Sequence, residues 1–365
     1  MKRIVIDVNS VMPLYRRGWL TGIGRTTKEL VEALNQLEKL PFEIALYSQN
    51  THGINASLLK TQFPSKHIYL PHKRWINRLL SHIPVRECLT HYDLLHIPHN
   101  FEWVRKPEKT VITLHDALFF SHPDEVFDYQ YQQKNYPRLA RHCRAIITCS
   151  QASKHDIMQY MDIPEEKIAV IPWGYNMQLF QPAVTPPPER PFFLMVSCST
   201  GRKNTPTLIR AYEQFSKQEP MHKLVLVWPN PPKNILEQCN KGALTKQIQI
   251  VTNVDDNELA RLYNQATATF FPSRYEGFGL PVLESMACGT PVVTSRGGAL
   301  PEVGGDAALY VAPDDEEGLY QYMVQFEQGT LTKARFKEAC LKQASCFSWI
   351  GCAKQTAKVY QQLLG

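Results

Sequence analysis

Short apolar runs alternate along this chain with stretches in which apolar residues recur every third or fourth position. The runs, bounded by turn-forming residues, predict buried parallel strands. The longer spacing predicts helices with one packed face. In the first half the strand-like runs are Ile4–Val8, Ile44–Tyr47, Leu94–Ile97, Val111–Leu114 and Ala145–Thr148. Helical spacing covers Thr26–Leu37 and Ser153–Met161, the second capped near Ser150, and a long loop runs from Asn9 to Leu20. A second cluster holds Pro191–Val196, Lys223–Val227, Ile248–Val251, Thr267–Phe271, Pro291–Thr294 and Ala308–Val311, with helices between. Such alternation predicts an α/β protein with two doubly wound, Rossmann-like parallel sheets.

The break falls between the clusters. Ile171-Pro172-Trp173-Gly174-Tyr175 closes the first, and the proline-rich Thr185–Pro191 predicts an extended, stiff connector. The expected domains are residues 1–172, a linker at 173–191, residues 192–349, and a last helix at 350–365. A length of 365 residues agrees with two domains. No apolar run approaches the roughly 18–20 residues of a membrane-spanning helix. Asp7 interrupts the first apolar run, so the start reads as a strand and not as a signal peptide. Nine scattered cysteines, without a C-x-x-C pair or zinc spacing, point to the reducing cytoplasm. Cys288 reads as a small packed residue. The net charge of +6 is uneven, with 22 Lys and Arg against 17 Asp and Glu in residues 1–172. That basic half suits anionic lipid, a phosphorylated acceptor, or plain solubility, and no nucleic-acid partner is expected.

The candidate chemistry is concentrated in Arg274–Ala287. Gly277 and Gly279 forbid a regular helix after the strand Thr267–Phe271, and Pro281 suits a first helical position. Gly289 and Pro291 end the helix that follows. Glu276 is therefore expected on the loop at a strand's carboxyl end and Glu284 in the helix's first turn. Ligands of open α/β sheets bind at that edge, and amides at the helix start suit a phosphate. Carboxylates accept hydrogen bonds only, so hydroxyls are their natural partners there. Phosphates flanked by hydroxyls describe a nucleotide sugar.

The segment from Arg274 to Pro313, with Gly289-Thr290-Pro291-Val292-Val293 and Leu300-Pro301-Glu302-Val303, resembles the signature of family 4 retaining glycosyltransferases. Their Glu-x7-Glu motif matches Glu276 and Glu284. The resemblance implies the GT-B fold, two Rossmann-like domains facing each other across a deep cleft, with the last helix crossing back to the first, acceptor-side domain. It implies that Glu276 faces the transferred sugar, that Glu284 holds the ribose, and that Gly277, Phe278, Gly279, Leu280 and Pro281 shape the donor site. Arg202 and Lys203 resemble the family's Arg-Lys-Asn segment and are expected to neutralise the leaving diphosphate, Lys203 as the essential cation. Val254 is expected near the base. No D-x-D triplet occurs, which fits a reaction that needs no metal and no cofactor beyond the nucleotide-sugar cosubstrate.

In the first half, Thr21-Gly22-Ile23-Gly24-Arg25 lacks the third glycine of the dinucleotide fingerprint. It resembles the family's glycine loop, which places Gly22 and Gly24 on the donor phosphate or the acceptor and lets Arg25 reach an anion. His115 and Asp116 match the family's His-Asp pair, the histidine near sugar hydroxyls and the aspartate orienting it or receiving the acceptor hydroxyl. His96, His99 and Asn100 end a neighbouring strand and are expected to line the same cleft. Trp19 and Tyr15 are candidates to stack on sugar or lipid. Lys73–Ile83 mixes basic and apolar residues, as either a surface helix or a segment lying on an anionic membrane.

The resemblance implies a hexosyltransferase acting on a glycan or lipid-linked oligosaccharide, at the cytoplasmic face of a membrane or in the cytoplasm. The mannosyltransferases of surface polysaccharide synthesis, with GDP-mannose as donor, are the branch it favours. A UDP-linked hexose stays open, as do a nucleotide-sugar epimerase and a non-catalytic binding subunit.

Overall fold

The computed structural model describes residues 1–18, 20–50, 52–69, 90–99, 104–197, 199, 201–240 and 242–365. The chain forms two compact units. One comprises Met1–Gly174 with Trp349–Gly365, and the other Tyr175–Ser348.

In the first unit the strands are β1 (Arg3–Asp7), β2 (Glu43–Asn50), β3 (Ser65–Tyr69), β4 (Leu94–Ile97), β5 (Thr110–Thr113), β6 (Ala145–Thr148) and β7 (Ile168–Val170). They form one parallel sheet in the order β3-β2-β1-β4-β5-β6-β7. Both faces are covered, which is why the strands read as continuous apolar runs. Ile4 and Ile6 pack into one core and Val5 into the other. β3 and β7 escape the sequence pattern. β3 is an edge strand of Ser, Lys, His, Ile and Tyr, and β7 is three residues long.

The second unit holds β8 (Phe192–Val196), β9 (Lys223–Val227), β10 (Ile248–Val251), β11 (Ala268–Phe271), β12 (Val292–Thr294) and β13 (Leu309–Tyr310). Their order is β10-β9-β8-β11-β12-β13, again parallel. Residues of the expected linker are tied to this unit. Asn264, on the helix Asp256–Gln265, bonds Ala183 N–H at 2.9 Å and the Gln181 carbonyl at 3.1 Å.

The helix Trp349–Leu364 packs with the first unit, burying Trp349, Cys352, Ala353, Thr356 and Tyr360 at helical spacing. His96 does not line a ligand site. It is fully buried, with Nδ1 on the Tyr360 hydroxyl and Nε2 on the Thr113 hydroxyl at 2.9 Å, so it fastens that helix to β4 and β5. Among the described residues no helix is long and apolar enough to cross a membrane.

Burial, reinforced by the neighbouring His99 and His115, pushes the His96 imidazole down to about 3. The folded ring therefore stays neutral where the unfolded one, near 6.5, takes a proton. Protons then favour the unfolded chain, so stability is complete above about pH 6.5 and falls below it, by about 2 kcal/mol at pH 5 for this residue. Urea denaturation at pH 7 and pH 5 should show the loss, and His96→Gln should reduce the difference by that amount. The same pH slope in both proteins would refute the assignment.

Candidate active site

In the second sheet the strand order reverses between β8 and β11. Loops leaving these two neighbours diverge, and that is where ligands of open α/β sheets bind. The loop after β8 carries Arg202 and Lys203, and the loop after β11 carries Glu276.

Both loops are fixed by close backbone contacts. Asn204 is buried with a left-handed backbone, φ +61°. Its amide donates to the carbonyls of Pro272, 3.2 Å, and Pro313, 2.5 Å, and its oxygen accepts from the Thr207 hydroxyl at 2.7 Å. Arg274 N–H donates to the Arg202 carbonyl at 2.8 Å, joining the two loops. The loop after β12 presses on the same segment. Ala299 N–H donates to the Glu276 carbonyl at 2.8 Å, and the Ser295 hydroxyl donates to the Ser273 carbonyl. A Cβ on Gly297 would lie 2.1 Å from the Arg274 carbonyl oxygen, and one on Gly298, φ +61°, would lie 2.2 Å from that of Glu276. Only glycine fits so close an approach.

This frame places three charges together. Lys203 Nζ is 2.8 Å from Glu276 Oε1, and Arg202 Nη1 is 2.7 Å from Oε2. The Ser273 hydroxyl donates to Oε1 at 2.7 Å. Lys203 also stands 4.7 Å from the centre of the Phe271 ring, and Arg202 Nη1 donates to the Tyr275 carbonyl at 2.5 Å. Burial pushes the Glu276 carboxyl up, but Lys203 and Arg202, helped by the Ser273 hydroxyl, outweigh it and leave it below the usual carboxylate range. The two expected diphosphate cations thus hold Glu276.

Glu284 is not in the first helical turn. The helix is Leu280–Ala287, so Glu284 is its fifth residue, and Pro281 is second and not first. The helix start is enclosed rather than open. Gly277, Phe278 and Gly279 are buried, and Phe278 stands edge-on to Phe347. Gly279 has φ +108°, with Leu300 2.9 Å from where its Cβ would be. Glu284 is buried and its Oε2 accepts from the Tyr263 hydroxyl at 3.1 Å. Lys333 Nζ donates to the Asn264 carbonyl at 2.6 Å, at the end of Tyr263's helix. Val254 is half-buried in the loop after β10. Cys288 is buried, and burial pushes its thiol up to about 12, which suits packing and not nucleophilic attack.

The first unit repeats the arrangement with different groups. Its order reverses between β1 and β4. There the buried Asp7 accepts from His99 Nε2 at 2.9 Å and from the Asn9 side chain at 2.7 Å. Residues 9–17 are helical rather than an open loop, as Asn9–Val11 and Met12–Arg17. Gly22 and Gly24 do not precede a helix. They lie in the first turn of Gly22–Asn35, capped by the Thr21 hydroxyl, which accepts from Gly24 N–H at 3.1 Å. A Cβ on Gly24 would lie 2.5 Å from the Ser10 carbonyl oxygen, so this glycine serves close packing. Arg25 follows in the same turn, half-buried. His115 is buried edge-on to Trp173, centroids 5.2 Å apart, with the Pro98 carbonyl beside its ring. Burial, then His99, pushes it down to about 4, so the ring is neutral at pH 7. Asp116 accepts from Leu118 N–H at 3.1 Å. Asn100, Trp19 and the segment 73–83 lie outside the described residues.

Sequence reasoning missed Ser273, Gly297, Gly298 and Tyr263, and the Asp7–His99 pair, and it gave Asn204 of the Arg-Lys-Asn segment no role of its own. The adjacent glycines 297 and 298 after the strand at Pro291–Thr294 were the readable sign of close backbone contact. Tyr263 and Asp7 had none, since their partners are distant in sequence.

Residues 177–343 match the family model described as glycosyl transferases group 1, and residues 20–179 match that of glycosyltransferase family 4. Similar curated proteins include O-antigen chain mannosyltransferase B of Escherichia coli. It is 28% identical over 384 residues, covering 94% of this chain and 97% of that protein. The MMP alpha-(1->4)-mannosyltransferase of Mycolicibacterium hassiacum is 31% identical over 232 residues, covering 62% of this chain and 56% of that one. Among solved structures, sucrose-phosphate synthase of Thermosynechococcus elongatus matches with a TM-score of 0.76 at 19% identity, over 100% of this chain and 99% of that one. HepE of Anabaena, solved with UDP and glucose, matches at 0.74 and 19%, over 99% and 100%. These likenesses show the fold.

Gly298 and Gly329 separate crowding from backbone strain. Both have positive φ, but a Cβ on Gly329 meets nothing within 4 Å. Gly329→Ala should cost about 1–2 kcal/mol for the left-handed backbone alone. Gly298→Ala should cost at least about 2 kcal/mol more, because the Glu276 carbonyl must move. Urea denaturation decides, and equal losses would show that the glycine contact does not fix the loop.

Proposed function

The chain belongs to glycosyltransferase family 4 and is a glycosyltransferase of GT-B fold; from that premise we propose that it is a metal-independent, retaining hexosyltransferase. The reading is transfer of mannose from GDP-mannose to a hydroxyl of a glycan or lipid-linked oligosaccharide during surface polysaccharide synthesis. The observation that carries it is the cluster of Lys203, Arg202 and Glu276 at the sheet's switch point. The similarity to mannosyltransferases, one of them along nearly its whole length, supports the choice of sugar.

In this reading Lys203 and Arg202 take the charge of the departing diphosphate. The bond from the anomeric carbon to the phosphate oxygen breaks through an oxocarbenium-like state. The acceptor oxygen bonds to that carbon on the face the diphosphate leaves, and its proton passes to a phosphate oxygen. Glu276 accepts hydrogen bonds from the sugar's hydroxyls. Glu284 accepts from the ribose while Tyr263 holds its other side. His115 and Asp116 enter from the family resemblance, the neutral imidazole being able both to donate and to accept.

A thermal-shift screen of GDP-, UDP-, ADP- and TDP-sugars without metal should give its largest stabilisation with GDP-mannose. Transfer should persist in EDTA. Glu276→Ala and Lys203→Ala should each lower turnover by roughly 10²-fold or more while the protein still melts cooperatively. Turnover near wild type in either variant, or a protein that binds no nucleotide sugar, would overturn the reading.

A further inference from the structure

We propose that Glu276 discriminates between the nucleotide sugar and the spent nucleoside diphosphate, and so promotes product release. The inference rests on the donor site proposed above. Lys203 and Arg202 are engaged by Glu276 through contacts of 2.8 and 2.7 Å, and all three side chains are mostly buried. An incoming diphosphate therefore meets two cations already paired with one carboxylate, a net charge of +1 in place of +2. It must share or displace those contacts, and it brings its own negative charge beside a carboxylate held ionised at neutral pH.

The two ligands differ in what they return. A nucleotide sugar presents hydroxyls that donate to Glu276, replacing the hydrogen bonds that the cations withdraw. A bare nucleoside diphosphate carries more negative charge and has no sugar hydroxyl to offer there. The carboxylate is left partly unpartnered in a buried place, which is the costly state. The same residue that receives the sugar thus penalises the nucleotide once the sugar has gone. The Ser273 hydroxyl stays on Oε1, 2.7 Å away, and keeps the carboxylate in position during the exchange.

Calorimetric titration with GDP and with GDP-mannose, metal-free and at fixed ionic strength, tests this. Glu276→Gln removes the charge and keeps an acceptor for the sugar. It should tighten GDP about tenfold and leave GDP-mannose unchanged or weaker. Glu276→Asp keeps the charge and should hold GDP within about twofold of wild type, and it serves where the Gln variant does not fold. Glu284→Gln should weaken both ligands alike, since the ribose is common to them. An unchanged ratio of the two affinities in Glu276→Gln, or tighter GDP binding in Glu276→Asp, would overturn the proposal while the donor site stands. Failure of wild type to bind either ligand would overturn the donor site and the proposal with it.

Discussion

The carboxylate–cation contact at Glu276 is the constraint around which the second unit's ligand edge is built. Burying three charges costs more than their attraction returns unless geometry is tight and the remaining lone pairs are satisfied. The chain meets both conditions with neutral parts. Ser273 supplies the extra hydrogen bond, Asn204 ties the cation loop to Pro272 and Pro313, and Gly297 and Gly298 let a third loop lie against the backbone of Arg274 and Glu276. The charges are thereby held in fixed positions by neutral groups and backbone contacts.

Both sheets follow one topological rule and reach different chemistry through it. Each reverses its strand order once, and each reversal holds a buried carboxylate facing a nitrogen base. In the first unit the pair is Asp7 and His99, and the adjacent helix start is packed so closely on Ser10 that Gly24 has no space for a side chain. In the second unit the partners are Lys203 and Arg202. The first unit therefore presents a polar edge of modest charge, and the second an edge with excess positive charge.

Much of this was legible before the structure. The strands Leu94–Ile97, Ala145–Thr148 and Lys223–Val227 are read from the apolar runs with their observed limits, because strands buried on both faces leave a nearly unbroken apolar signal. The edge strand Ile248–Val251 is read from Ile248, Ile250 and Val251 although Gln249 is exposed. Strands β3 and β7 left no such signal, being at the edge or too short. Glycines were harder to interpret. Gly22 and Gly24 read as a loop, yet a threonine cap and the lack of strain at φ below zero let them enter a helix. The partners of Glu276 were not legible, because the sequence shows which side chains a site contains and not which of them pair with one another.

The eight-residue spacing between Glu276 and Glu284 joins two carboxylates with separate supports. Glu276 depends on loops that follow β8, β11 and β12, where backbone contacts leave no freedom. Glu284 depends on a hydroxyl from the neighbouring helix. Tyr263 is fully buried, its carbonyl accepts from the Thr290 hydroxyl at 2.6 Å, and the end of its helix is held by Lys333. That lysine is half-buried, which lowers it to about 8, and it stabilises the helix carboxyl end as a cation should. The spacing itself fixes only the turn from loop to helix. Glu276 is oriented by Ser273 and the two cations, and Glu284 by Tyr263, so the two acids rest on different groups.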